Sequence, residues 1–149
     1  MQVKPYARNF SVILVIMVIF LSGCLSRSPE PRFYALSPVQ DQVIARRSGT
    51  GQNAVIGLGP VKLADYLDQS QLITRTSDNQ LVKAEYDLWV GAFKDNFINV
   101  LADNLGFFLR TEKIHLYPWR KSVPLDYHVE VDVVQCDGRL GEAAWLVAR

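Results

Sequence analysis

Four groups of residues have the types and spacing for chemistry. His128, Glu130 and Asp132 alternate along a β-type segment, so they share one face and could converge on a metal ion. Their Cβ atoms would stand about 7 Å apart, a gap only long side chains reaching inward can close. A solvated strand face is the plainer reading. Gly57-Leu58-Gly59 has two glycines of a phosphate-binding loop but no third, and Pro60 follows. Such a loop opens a helix after a strand, whereas these glycines interrupt a strand. Asp65 and Asp68 could act as an acid–base pair. With no neighbouring histidine and no reason for a raised pKa, they read as surface or turn residues. The sequence has two histidines and two cysteines in all, too few for a multi-ligand zinc site or a disulfide framework. The expectation is a protein without catalytic residues, metal or cofactor.

The fourth group is Cys24 with Leu21-Ser22-Gly23 before it. This looks like a bacterial lipobox, with cleavage between Gly23 and Cys24 and acylation of the cysteine. The preceding segment agrees. Residues 1–23 carry Lys4 and Arg8 and no acidic residue, and Phe10 to Leu21 has Ser11 as its one polar residue. Twelve helical residues rise about 18 Å, short of the roughly 30 Å of a hydrocarbon core. A basic start and a short apolar run make a secretory signal. One acyl chain anchors marginally and several anchor durably. Leu25, rather than Asp, after the cysteine resembles outer-membrane sorting. With Cys24 acylated, Cys136 has no intramolecular partner and reads as a small buried apolar side chain.

The chain has 149 residues, 49% apolar and 21% charged, with net charge +1. Removing Lys4 and Arg8 with the signal leaves 14 basic and 15 acidic side chains, a net of −1. Neither balance gives a basic field for nucleic acid. The expected organisation is a signal over 1–23, a lipidated N-terminus and Pro-containing tether over 24–32, and one domain over 33–149.

That domain must position whatever acts. Phe33 to Leu36 is a short strand and residues 38–53 a loop. Ala54 to Leu63 is a strand that Pro60 places at an edge or a bulge. Gln71 to Thr76 and Leu81 to Glu85 flank the turn Ser77-Asp78-Asn79-Gln80. Phe93, Phe97, Val100, Leu101, Leu105 and Phe108 form one apolar stripe, predicting a helix from about Leu88 to Arg110 with Asp87 as N-cap. Ile114 to Tyr117 is a short strand. Leu125 to Cys136 alternates apolar and charged residues as a half-buried strand does. Asp137-Gly138 starts a turn, and Ala143 to Ala148 returns. Strands around one long helix make a mixed α/β (α+β) domain with a mixed sheet. Trp89 and Trp145 are expected in its core, and the irregular Tyr117-Pro118-Trp119 as an exposed contact.

An ordered set of motifs adds to this: Phe33-Tyr34-Ala35-Leu36, Gly57-Leu58-Gly59-Pro60-Val61-Lys62-Leu63, Tyr66-Leu67-Asp68, Gln71-Leu72-Ile73-Thr74-Arg75, Tyr86-Asp87-Leu88-Trp89, Asp95-Asn96-Phe97, Asn104-Leu105, Tyr117-Pro118-Trp119 and Tyr127-His128-Val129-Glu130-Val131-Asp132. The set resembles the ABC-type transport auxiliary lipoproteins, or PqiC-like family, over residues 21 to about 148. Two departures stand out. Ala64 occupies a position where the family usually has Pro, and its members look longer, with further strand and helix beyond Arg149. The resemblance implies a non-catalytic periplasmic domain tethered to the outer membrane and working with an MCE-domain protein in intermembrane lipid transport. It also implies a part in envelope integrity, and a homo-oligomeric ring is one arrangement in keeping with that role. Its candidate contacts are Tyr66, Leu67, Asp68, Gln71 and Arg75, beside the alternative that this loop packs on its own domain. A second function reading is a periplasmic lipid carrier with its own apolar cavity under the helix.

Overall fold

The computed structural model describes residues 28–39 and 53–149. The signal, the Cys24 lipobox and most of the loop expected at 38–53 lie outside the described residues. Pro31–Arg149 forms one compact unit. Among the described residues, no helix is long and apolar enough to cross a membrane.

The unit is a curled mixed sheet with one helix. In chain order its elements are β1 (Arg32–Tyr34), β2 (Ile56–Leu63), a single 3-10 turn (Asp65–Leu67), β3 (Gln71–Ser77), β4 (Gln80–Trp89), α1 (Phe93–Leu109), β5 (Ile114–Leu116), β6 (Tyr127–Gly138) and β7 (Ala144–Ala148). The spatial order is β1-β4-β3-β6-β2-β5, with β7 paired to β6. β3 and β4 form an antiparallel hairpin, and β6 and β7 another. β1 runs parallel to β4, and β2 runs parallel to both β5 and β6.

β2 is apolar because it is covered: Ile56, Leu58 and Val61 are all buried. β5 pairs with β2 only from Ile56 to Leu58, so Pro60 lies past that ladder with β6 alone beside it. The bulge reading holds as well, since the register with β6 shifts between Leu58 and Val61. A residue without an N–H fits where the ladder is interrupted. Gly59 has φ +117°, and a Cβ there would stand 2.7 Å from the Tyr117 Cβ. A Cβ on Gly57 would stand 2.5 Å from Leu125 Cδ1 and 3.3 Å from the Trp119 ring. These glycines admit packing side chains within a strand, and they do not open a helix.

Helix α1 starts at Phe93, five residues later than Leu88, and its N-cap is Ala92 without a side-chain cap. Leu88 and Trp89 end β4, where β1 pairs with them as Phe33↔Leu88 and Tyr34↔Trp89. Asp87 is also in β4 and binds Arg32 rather than a helix terminus. The apolar stripe behaves as expected at its start. Phe93 and Phe97 are buried with Val61, Leu67 and Val133, and Leu101 packs beside them. Two asparagines of α1 face the chain that follows β1. Leu36 N donates to Asn96 Oδ1 (2.6 Å) and Val39 N to Asn104 Oδ1 (2.8 Å).

In β6, Val133 and Cys136 both pack on the core although they are three positions apart. A regular strand alternates faces every residue. The register with β7 shifts between Val133 and Gln135, which changes the parity. The strand runs on to Gly138, beyond the turn expected at Asp137, because pairing with β7 continues to Gly138↔Ala144. Trp145 was expected in the core, but it is 39% exposed on a strand that is exposed throughout. β7 is paired to β6 along one edge.

Candidate functional site

The segment from Asp65 to Ser77 brings the expected contact residues to four different environments. Leu67, at the end of the 3-10 turn, is 4% exposed and belongs to the core. Its apolar side chain is spent on packing, which removes it from an exposed contact surface. Asp68 is exposed, and with Tyr66, Ile73, Leu81 and Lys83 it lines a surface hollow. Gln71 lines a second, larger depression on which the site centres. Gln69 holds the turn, its Nε2 donating to the Tyr66 carbonyl.

Tyr66 and Arg75 meet at a residue that the sequence reading placed in a turn, Asp137. Its carboxylate is fully buried and receives four donors. Arg75 Nε donates to Oδ1 and Nη2 to Oδ2, both at 2.9 Å. Gln135 Nε2 donates to Oδ1 at 3.1 Å, and the Tyr66 hydroxyl to Oδ2 at 3.3 Å. The guanidinium holds the Asp137 carboxyl below the usual carboxylate range, outweighing the opposite effect of burial. Burial pushes the Tyr66 phenol up, and the Asp137 charge adds to this. Arg75 Nη1 also donates to the Asp78 carbonyl, fixing the β3–β4 turn to the network.

Next to this network lies an apolar cavity of about 430 Å³ between β3, the start of α1 and the β6–β7 hairpin. Leu36, Leu72, Trp89, Phe93 and Cys136 are among its walls, with Arg139 and Asp137 among the few polar ones. Trp89 and Phe93 pack with ring centroids 4.7 Å apart. Burial raises the Cys136 thiol pKa, so the thiol stays protonated and inert.

The remaining candidates are dispersed. His128 Nε2 lies 2.8 Å from the Gly59 carbonyl and 3.8 Å from Glu130, while Asp132 is taken by Arg149 at 3.1 Å. Among the described residues there is no group of three ligands that could hold a metal ion. Tyr117 is exposed, and its ring packs edge-on to Trp119, which packs edge-on to His128. Asp137 and Arg139 were missed from sequence, while an apolar cavity was part of the carrier reading and lies at the start of α1. Arg75 and Asp137 are 62 positions apart, and no local spacing marks them as partners.

The model of the family described as ABC-type transport auxiliary lipoprotein component matches residues 34–149. The chain belongs to this family. The auxiliary lipoprotein family is a transport component and not a known class of enzyme. Among curated proteins, none matches the chain. Two solved structures share the fold. One, of an uncharacterized protein, is 21% identical with a TM-score of 0.59 and covers 81% of this chain and 76% of that one. The other, from Xanthomonas campestris and of family DUF330, is 12% identical with a TM-score of 0.53 and covers 79% and 77%. At these identities the likeness carries the auxiliary lipoprotein fold and nothing of its ligands.

Proposed function

We propose that this chain is a non-catalytic outer-membrane lipoprotein, anchored through acyl groups on Cys24, that serves an MCE-type intermembrane lipid transport system. The match of residues 34–149 to a transport auxiliary family carries the reading. The lipobox at Leu21–Cys24 and Leu25 after it support the anchor and its destination. The side chains offered to an MCE-domain partner are Asp68 and Gln71, while Tyr66 and Arg75, engaged with Asp137, hold the segment that presents them. Asp68 and Lys83 line the hollow beside Tyr66, where acidic and basic groups give a partner directional contacts. Leu67 supports the loop from beneath. A homo-oligomer facing the periplasm is part of the same proposal.

Affinity capture of the full chain from crosslinked, solubilised membranes tests it. An MCE-domain protein should be recovered, and Asp68→Arg should lower the yield several-fold. Repeated absence of such a partner under crosslinking overturns the reading. The carrier alternative is favoured by one observation, the cavity beside Trp89, and it is compatible with docking.

A further inference from the structure

We propose that β7 is the contact between two copies of this chain, pairing antiparallel with β7 of a second copy about a twofold axis at Leu146. The inference rests on the homo-oligomer part of the proposed function and names the surface that forms it. It is independent of the MCE-domain partner.

β7 has one ladder, to β6. Arg149 N donates to the Asp132 carbonyl at 3.0 Å, Asp132 N donates to the Arg149 carbonyl at 2.8 Å, and Arg139 N donates to the Ala143 carbonyl at 3.0 Å. The extra residue of the bulge belongs to β6, so β7 alternates without interruption. Ala143, Trp145, Val147 and Arg149 therefore turn their backbone groups toward β6, and Ala144, Leu146 and Ala148 turn theirs outward. Among the described residues no strand receives these outward groups. Proteins guard such an edge with Lys, Pro or a bulge. Ala144–Ala148 has none of these and is exposed at every residue. Trp145, Leu146 and Val147 are 39%, 56% and 46% exposed.

The pattern of the strand selects a second copy as the occupant. Ala-Trp-Leu-Val-Ala places small residues at both ends and Leu146 at the centre, in either direction. An antiparallel pair centred on Leu146 sets Ala144 opposite Ala148, Leu146 opposite Leu146 and Trp145 opposite Val147. Every outward N–H and C=O then finds its counterpart. A slip by one residue sets outward groups against inward ones, and a slip by two leaves Ala144 or Ala148 unpaired. On one face Leu146 meets its own copy between alanines. On the other, Trp145 meets Val147 of the second copy, a favourable aromatic and β-branched pair. Charge agrees with this register. The strand carries none, and Arg149 of one copy comes beside Ala143 of the other, one residue from Glu142. Both side chains are free to reach, at 79% and 61% exposed, so opposite charges meet at each end of the contact.

The test uses the full lipidated chain in dodecylmaltoside micelles. Leu146→Cys lies on the axis, where the Cα atoms of a hydrogen-bonded pair stand about 5.5 Å apart, a gap that a disulfide spans. Mild oxidation should link it to itself several-fold more than Leu140→Cys, whose position is 85% exposed but far from the axis. Trp145→Cys should link to Val147→Cys in mixed samples and hardly to itself. Leu146→Lys sets like charges on the axis and should lower the dimer fraction in sedimentation about tenfold, with thermal melts checking that it remains folded. The crosslinks decide without that variant. No excess of Leu146→Cys links over the Leu140→Cys control, or Trp145→Cys linking to itself as readily as to Val147→Cys, overturns the interface. If the native chain still sediments as an oligomer in that case, the homo-oligomer stands on another surface, and if it sediments as a monomer, both readings fall. Failure to capture an MCE-domain partner would leave these readouts unchanged.

Discussion

Two arginine–aspartate pairs in this domain have the same chemistry in different surroundings. Arg32 and Asp87 form a two-point contact of 2.6 and 2.9 Å between β1 and β4. Arg75 and Asp137 form one of 2.9 and 2.9 Å between β3 and β6. The first pair is 69% and 21% exposed at its side chains, the second 20% and 0%. In both, the guanidinium lowers the carboxyl pKa. The distances are nearly alike, so the difference in what the pairs do comes from solvent. An exposed pair gains little, because water solvates the separated ions almost as well. A buried carboxylate has lost that option and depends on its partners. The exposed pair positions an edge strand. The buried one joins the β3–β4 turn, the 3-10 turn and the end of β6 beside the cavity.

The sharpest way to test this difference is to delete each carboxylate. Asp137→Ala removes the shared acceptor of Arg75, Tyr66 and Gln135. We expect a loss of about 3 kcal/mol in urea unfolding, at the low end for broken buried pairs because Arg75 can turn toward water. A loss no larger than that of an exposed pair would mean that burial is not what distinguishes the two.

A smaller effect should appear in the pH dependence. The folded-state pKa of Asp137 lies below its unfolded value of about 3.9. Its contribution is therefore complete above that value and is lost as pH falls through the folded pKa. Asp137→Asn removes the titrating group. The stability difference between the native sequence and this variant should be constant from about pH 7 to 5, then shrink below about pH 4. A difference that grows on acidification would reverse the sign and contradict the pairing.

The contrast also explains which features were legible in sequence. β2, β5 and the alternating part of β6 carry local patterns, and they lie within a few residues of their expected positions. The stripe from Phe93 to Leu101 marked the helix because its spacing is local too. Its start was misplaced because Leu88 and Trp89 fit either period, and pairing with β1 decided for a strand. Trp145 was misplaced because burial depends on what covers β7, which its own sequence does not encode. The candidate site was legible in part. Tyr66 and Arg75 were singled out for contacts to a partner, but they are engaged with Asp137 inside the domain. Asp137 sits in a pattern that resembles a turn, whereas β6 continues through it and its carboxylate is buried against Arg75 from a distant strand. The asparagines at 96 and 104 show the same limit, since their partners Leu36 and Val39 are some 60 positions away.

The smallest effect belongs to the exposed pair. Asp87→Asn keeps the shape of β4 and a hydrogen-bond acceptor for Arg32, and both groups already face solvent in part. Its melting midpoint in 0.15 M salt should match that of the native sequence within error, since the Debye length there is about 8 Å and exposed charges are screened. Lowering the salt should open a small gap between the two, because Coulombic attraction at the surface strengthens as screening falls. The gap for Asp137→Asn should hardly respond to salt, because counter-ions have no access to its carboxylate. Equal salt responses would show that water reaches both pairs alike. β6 would then lie open at Asp137, and the cavity beside it would be a solvated groove.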